Sequence, residues 1–150
     1  MNDIKPMDRR ILQVLQIDGR ISNAGLAERV GLSPSACLRR VQELERRGVI
    51  TGYRAVVDPK AVGGGVTVMV AVGLARHLKA DQEAFEVAMQ AAPEVRECHN
   101  VAGTIEYLLR VEVSDLERYK AFHTDVLGVV PQVASITSYF VMASPKDLRG

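Results

Sequence analysis

The sequence predicts an α+β protein in two parts, and three observations carry that expectation. Apolar residues recur at helical spacing in three short segments before residue 50, each closed by a glycine. After residue 65 the pattern switches between strand and helix periods in the order β-α-β-β-α-β. The charge divides along the same line: residues 1–60 hold eleven Lys/Arg against seven Asp/Glu, net +4, and residues 61–150 are net −3. A basic half beside an acidic one suggests a module that meets a polyanion and a second module with another task.

Ile11, Leu12, Val14 and Leu15 place a first helix in MDRRILQVLQIDG, with Gly19 where a helix stop belongs. Ser22 is a natural N-cap for a second, short helix in which Leu26, Ala27 and Val30 share a face, ended by Gly31. The third begins at once. In Gly31-Leu32-Ser33-Pro34 the glycine permits a left-handed turn, Leu32 faces the core, Ser33 caps, and Pro34 takes a first helical position where no N–H is needed. From Pro34 to Arg47 the buried stripe is expected at Cys37, Leu38, Val41 and Leu44, and the outward set at Ser35, Arg39, Arg40, Gln42, Arg46 and Arg47. Hydroxyl, amide and guanidinium groups suit phosphates and purine edges, although Glu43 and Glu45 dilute the charge. Two helices joined by a tight glycine turn, the second basic outside, form a helix-turn-helix pattern; an ordinary three-helix bundle with a solvated basic face fits the same spacing.

Val49 to Asp58 is β-rich and reads as a strand leaving the helices, with Asp58-Pro59 at the boundary and Gly63-Gly64-Gly65 as a hinge. The triplet lacks the frame of a phosphate-cradling loop. Val66 to Ala75 alternates with both faces largely apolar, and Phe85, Ala88, Met89 and Ala92 make a helix that stops at Pro93. Val95 to Ala102 and Thr104 to Val113 read as a hairpin about Gly103. Ser114 with Glu117 reads as a capping box, opening a helix with Leu116, Tyr119, Phe122, His123 and Val126 inward, and Val133 to Met142 as the last strand. This order is ferredoxin-like. Helices on one side leave the other sheet face open and partly apolar, so a homodimer is expected.

At 150 residues, with 25% charged and 47% hydrophobic residues, the chain is neither a disulfide scaffold nor a disordered tail. Cys37 and Cys98 fall in different halves, so no disulfide framework or CxxC site can be built. The N-terminus has no apolar stretch after its charges, and the longest charge-free run, Ala61 to Ala75, is 15 residues with four glycines. A cytoplasmic protein without a membrane span is expected. His99, His123 and Glu106 could suggest a metal or acid–base site, but the histidines lie on different elements without ligand spacing. No nucleophile–base arrangement is legible, and no enzyme, cofactor or metal site is expected.

The stretches MDRRILQVLQIDGRIS and LAERVGLSPSACLRRVQELERRGVITGYRAVVDP resemble the N-terminal half of the Lrp/AsnC (feast/famine) transcription regulators. PEVRECHNVAGTIEYLLRVEVSDLERYKAF and LGVVPQVASITSYFVM resemble that family's sensing and assembly domain, so the likeness runs from about Met7 to Met142. It implies a winged or plain helix-turn-helix over residues 1–52, a β linker over 53–65, and a ferredoxin-like ligand-sensing and oligomerisation domain over 66–150. It also implies double-stranded DNA as partner, homodimers that assemble further, commonly to octamers, and a small effector, usually an amino acid. By position, Ser33, Ser35, Arg39 and Arg40 become the DNA-facing part of the third helix and Arg20 a phosphate contact, with Ser22, Arg46 and Arg47 on the same side. The effector cleft falls to His99, Asn100, Val101, Gly103, Thr104, Ile105, Glu106 and Tyr107, with Thr137 and Ser138 on the last strand.

One departure matters. Where the family carries Gly-Asp-x-Asp-Tyr/Phe, this chain has Gly103-Thr104-Ile105-Glu106-Tyr107, so one carboxylate is a hydroxyl and the other is longer by a methylene. The resemblance therefore leaves the effector's identity, and its binding, open at this hairpin, while Thr104 also suits a strand start on its own account. A second reading of the whole chain is a DNA-compacting architectural protein of the same shape, distinguished from a regulator by its lack of sequence preference.

Overall fold

The computed structural model describes residues 4–147, which pack into two compact units dividing between Val56 and Val57. The first unit is helical. Helix α1 (Pro6–Ile17) opens on a proline, and α2 (Asn23–Val30) is capped by Ser22, whose Oγ accepts from the Gly25 N–H at 3.0 Å. Helix α3 (Pro34–Arg46) is capped by Ser33, whose Oγ accepts from Ala36 N–H at 3.3 Å. Both serines satisfy an amide that a helix start leaves without an intrahelical partner. Ile11, Leu26, Ala27, Val30, Cys37 and Leu44 form the buried core.

Gly31 joins α2 to α3 at φ 74°, in the left-handed region where a Cβ is strained. A side chain there would find open space, so the cost of Gly31→Ala is conformational alone. That variant is expected to lose about 1–2 kcal/mol in urea unfolding of this unit.

Leu38 and the segment after α3 depart from expectation in this unit. Leu38 is 45% exposed instead of buried, because the core stripe of α3 runs through Cys37, Val41 and Leu44. Leu38 lies about 100° round the helix from Cys37 and finds no facing element. The expected strand from Val49 to Asp58 also does not form. Val49 and Ile50 fold back, both donating to the Leu44 carbonyl. Residues 51–58 then run without a strand partner in this chain among the described residues, and β-rich composition makes a ladder only where a neighbour supplies one.

The second unit holds a four-stranded antiparallel sheet in the order β2-β3-β1-β4, from β1 (Val66–Leu74), β2 (Val95–Asn100), β3 (Tyr107–Val113) and β4 (Val133–Phe140). Helices α4 (Lys79–Ala91) and α5 (Leu116–Ala121) join the strands, and α5 continues into wider π turns over Phe122–Leu127. One sheet face, carrying Val68, Val70, Val72, Tyr107, Leu109 and Val111, packs with Phe85, Met89, Phe122 and Leu127 as the core. The arrangement is ferredoxin-like, with β3 and β1 at the centre of the sheet.

The strands are shorter than expected. β2 ends at Asn100 and β3 starts at Tyr107, because Val101 N–H already donates to the Glu106 carbonyl and closes the connection as bends. β4 ends at Phe140, and Met142 is 96% exposed. The cap of α5 is Asp115 rather than Ser114. The Asp115 carboxylate accepts from Arg118 N–H at 2.8 Å and from the Ser114 hydroxyl at 2.7 Å, which holds its pKa below the usual carboxylate range. A carboxylate is the stronger acceptor for a helix start, and the shifted frame turns Leu116 outward, 64% exposed.

Candidate functional site

Asn23 at the start of α2 donates through Nδ2 to the Pro34 carbonyl at 2.8 Å, so the first turns of α2 and α3 are fastened together. This clamp and the Gly31 turn present the outer side of α3. Residues three and four apart share a side of a helix, which groups Ser35, Leu38, Arg39 and Gln42, all exposed. Arg39 makes no ion pair among the described residues. The hydroxyls of Ser33 and Ser35 lie 3.4 Å apart, and Ser22 and Ser33, though used as caps, each keep a hydroxyl proton to donate. Arg20 is exposed ahead of α2, its backbone N–H turned onto Asp18 Oδ1 at 3.1 Å.

The remaining arginines behave differently. Arg40, expected outward, places Nη1 2.8 Å from Asp8 Oδ1, with side chains 31% and 8% exposed. Asp8 in the first turn of α1 is a buried carboxylate, and a buried charge needs its partner, so Arg40 is drawn to the flank of α3 facing α1. Arg46 is held by Glu43 through two hydrogen bonds of 2.8 and 2.7 Å, which hold that carboxyl's pKa below its ordinary value. Arg47 is the C-cap of α3. Nothing local in the sequence marks Asp8 as Arg40's partner; its place in a first helical turn reads equally well as a dipole charge.

The expected effector residues divide between the two sheet faces. In the ladders Asn100 pairs with Tyr107 and Ser138 with Val70, on the helix-covered face, whereas His99 pairs with Leu108 and Thr137 with Ala71, on the open face. Tyr107 is fully buried, its ring 4.6 Å from that of Phe85 and its hydroxyl donating to Glu86 Oε1 at 2.7 Å. Burial, then the bond to Glu86, pushes it up to about 12. Ser138 is bonded to the Tyr119 hydroxyl. Both are framework groups. A groove of about 500 Å³ runs between α4 and β2 past Glu86, Gln90, Cys98 and Asn100. Burial, then Glu86, pushes the Cys98 thiol up, away from reactive thiolate character.

The open face holds the tighter constellation. Glu106, 16% exposed in its side chain, donates from its backbone N–H to the Val72 carbonyl at 3.1 Å and accepts at Oε2 from Leu74 N–H at 2.6 Å. His77 Nδ1 lies 3.0 Å from Oε1. Between them Gly73 has no side chain, and a Cβ there would strike Ser135 Oγ with Glu106 Oε2 just beyond. Glu106, Ser135 and His77 thus converge around Gly73, whose missing side chain makes room for the Ser135 hydroxyl, with Thr137 two residues along on the same strand face. An ionised carboxylate offers about four acceptor positions, so Glu106 keeps capacity for an ammonium group after holding Leu74. Gly103 and Thr104 are exposed beside it, Val101 is half-buried, and His99 turns toward Glu97 at 3.2 Å. Ser135 and His77 are missing from the sequence-based set, since only the β1–β4 register and the loop after β1 bring them here.

No group of three or more His, Cys, Asp or Glu is placed to hold a metal among the described residues, and no described helix is long and apolar enough to cross a membrane. Comparison with known proteins bears on both units. A family model described as the Lrp/AsnC ligand binding domain matches residues 67–150, and one described as winged helix-turn-helix DNA-binding matches residues 4–51. The leucine-responsive regulatory protein of Escherichia coli (strain K12) is 42% identical over 145 residues, covering 97% of this chain and 88% of that protein. A transcriptional regulator from Neisseria meningitidis, solved as its L-Met complex, aligns with TM-score 0.92 at 36% identity over 97% of this chain and 94% of that one. A feast or famine regulatory protein from M. tuberculosis, complexed with L-methionine, aligns with TM-score 0.85 at 29% identity over 99% and 98%. With a clamped helix-turn-helix in one unit, a ferredoxin-like sheet in the other, and both matched in this order, the chain belongs to the Lrp/AsnC family of transcriptional regulators.

Proposed function

We propose that this chain is a homodimer-based, sequence-specific regulator, assembling further toward octamers, that acts on DNA in the cytoplasm, responds to an amino acid and catalyses no reaction. Residues 1–52 read DNA, 53–65 link, and 66–150 sense and assemble. The observation that carries the reading is the exposed side of α3, where Ser35, Arg39 and Gln42 stand together behind the Asn23 clamp. Arg39 and Ser35 reach base edges or phosphates, Ser22, Ser33 and Arg20 approach the backbone, and Arg40, Arg46 and Arg47 serve chiefly to hold the helix and its end. For the effector, the supporting observation is the cluster of polar groups at Gly73, where Glu106 would take the ammonium group and Ser135, Thr137 and the hairpin amides near Gly103 and Thr104 the carboxylate. Two solved relatives hold L-methionine, which makes it the first amino acid to try.

The test is binding to a preferred duplex, selected from a random pool, against unselected duplex at ~150 mM salt. The expected ratio is several orders of magnitude; a ratio near one would point instead to an architectural DNA-compacting protein. Arg39→Ala is expected to weaken the preferred site by about 1–3 kcal/mol if it meets a base, with unfolding unchanged. Unaltered affinity would move recognition off this side of α3.

A further inference from the structure

Leu38 is an apolar side chain that the fold does not use. It is 45% exposed, stands outside the helical core cluster among the described residues, and shares its side of α3 with Ser35 and Gln42, three and four positions away. Singly exposed apolar side chains are ordinary on a protein surface, but one standing beside Ser35 and Gln42 on the exposed side of α3 is placed to meet an apolar feature of whatever that side binds. The major groove of B-DNA presents such a feature on its base edges, the C5-methyl of thymine. Beside that methyl, in the same base pair, adenine offers N7 as acceptor and N6 as donor, which a glutamine amide matches in two hydrogen bonds. Gln42 lies one helical turn beyond Leu38 and is exposed on the same side.

We infer that Leu38 and Gln42 form a two-residue reader of one A·T pair in each half-site, Leu38 packing on the thymine methyl and Gln42 bonding the adenine. The inference rests on the reading of α3 as the DNA-facing helix and adds to it a defined base pair and a defined chemical group. It also separates roles along the helix: Arg39 supplies charge or a guanine contact, while Leu38 discriminates thymine from cytosine without charge.

The test replaces each thymine of the selected duplex, one position at a time in both half-sites, with deoxyuridine, which keeps Watson–Crick pairing and removes only the methyl. For the wild-type protein one symmetric position is expected to lose affinity by about fourfold per half-site, the worth of one buried methyl group. Leu38→Ala is expected to bind the thymine duplex more weakly by at least that factor and to bind thymine and deoxyuridine duplexes equally at that position. Gln42→Ala is expected to keep the deoxyuridine effect while relaxing the preference for adenine at the same pair. If no position responds to deoxyuridine, or if the response persists in Leu38→Ala, the inference is overturned while DNA reading by α3 stands. If selection enriches no sequence at all, the DNA reading itself fails and this inference with it.

Discussion

Arg40→Ala is expected to destabilise the helical unit by about 3 kcal/mol, the lower end of what is lost when one partner of a buried ion pair is removed. The lower end applies because Arg40 keeps 31% of its side chain in water, whereas Asp8 keeps 8%. The damage falls on Asp8, left as a buried carboxylate with no cation to hold it. Asp8→Ala alone is expected to cost less, since an arginine freed from this pair can turn to solvent. The double variant is expected to recover part of the Arg40→Ala loss, because the stranded charge is gone and the two changes are coupled. Urea unfolding followed by helical circular dichroism measures all three. Arg39→Ala carries the opposite signature, with stability intact and DNA binding weakened. If Arg40→Ala instead weakens DNA binding at unchanged stability, Arg40 is a DNA contact and the Asp8 pair is incidental.

The second large effect centres on Glu106. Glu106→Ala removes the acceptor of Leu74 N–H at the end of β1 and is expected to cost about 1–3 kcal/mol, the penalty of an amide left without its partner. Glu106→Gln keeps an amide oxygen for Leu74 and is expected to retain most of that stability. What Gln cannot supply is the negative charge for an ammonium group. Any rise in melting temperature that L-methionine gives the wild type is therefore expected to vanish in Glu106→Gln, while the unliganded transition shifts little. Thermal melts with and without millimolar ligand separate the two roles. A ligand shift that survives Glu106→Gln places the amino acid elsewhere. If the wild type shows no shift with L-methionine or other amino acids, Thr104→Asp tests whether a second carboxylate restores one.

The parts of this structure legible in the sequence are those set by near neighbours. Ser22 and Ser33 as caps, Gly31 as the turn, and the alternation of β1 and β3 each follow from residues within one or two helical turns or along one strand. The misses are of another kind. Arg40 meets Asp8, and Glu106 meets Leu74, across 32 residues in each case, and no periodicity carries such a pairing. Leu38 fits a heptad-like apolar pattern and is left out only because three short helices cover a narrow arc of α3. The segment 51–58 has strand composition without a neighbour, and Ser114 loses the cap to Asp115 because hydroxyl and carboxylate stand side by side and the stronger acceptor wins. The effector set implied by the resemblance takes adjacent residues together, yet strand alternation sends His99 and Asn100, or Thr137 and Ser138, to opposite faces.

The closure of Arg40 onto Asp8 and of Arg46 onto Glu43 has a consequence for how the protein is shared out along a chromosome. Duplex without the preferred sequence holds a protein mainly by releasing counterions, and each neutralised phosphate steepens that attraction by a slope of about 0.9 in log affinity against log salt. Arg40 is turned inward onto Asp8, and Arg46, though exposed, shares its charge with Glu43. On the proposed DNA-facing role of α3 both are expected to neutralise phosphate less fully than Arg39, and the hold on arbitrary sequence is expected to be weaker than the count of arginines suggests. The chromosome offers on the order of millions of such arbitrary sites. If the proposed regulator reading holds, a shallower reservoir is expected to leave more copies free to find the preferred site and to exchange with it.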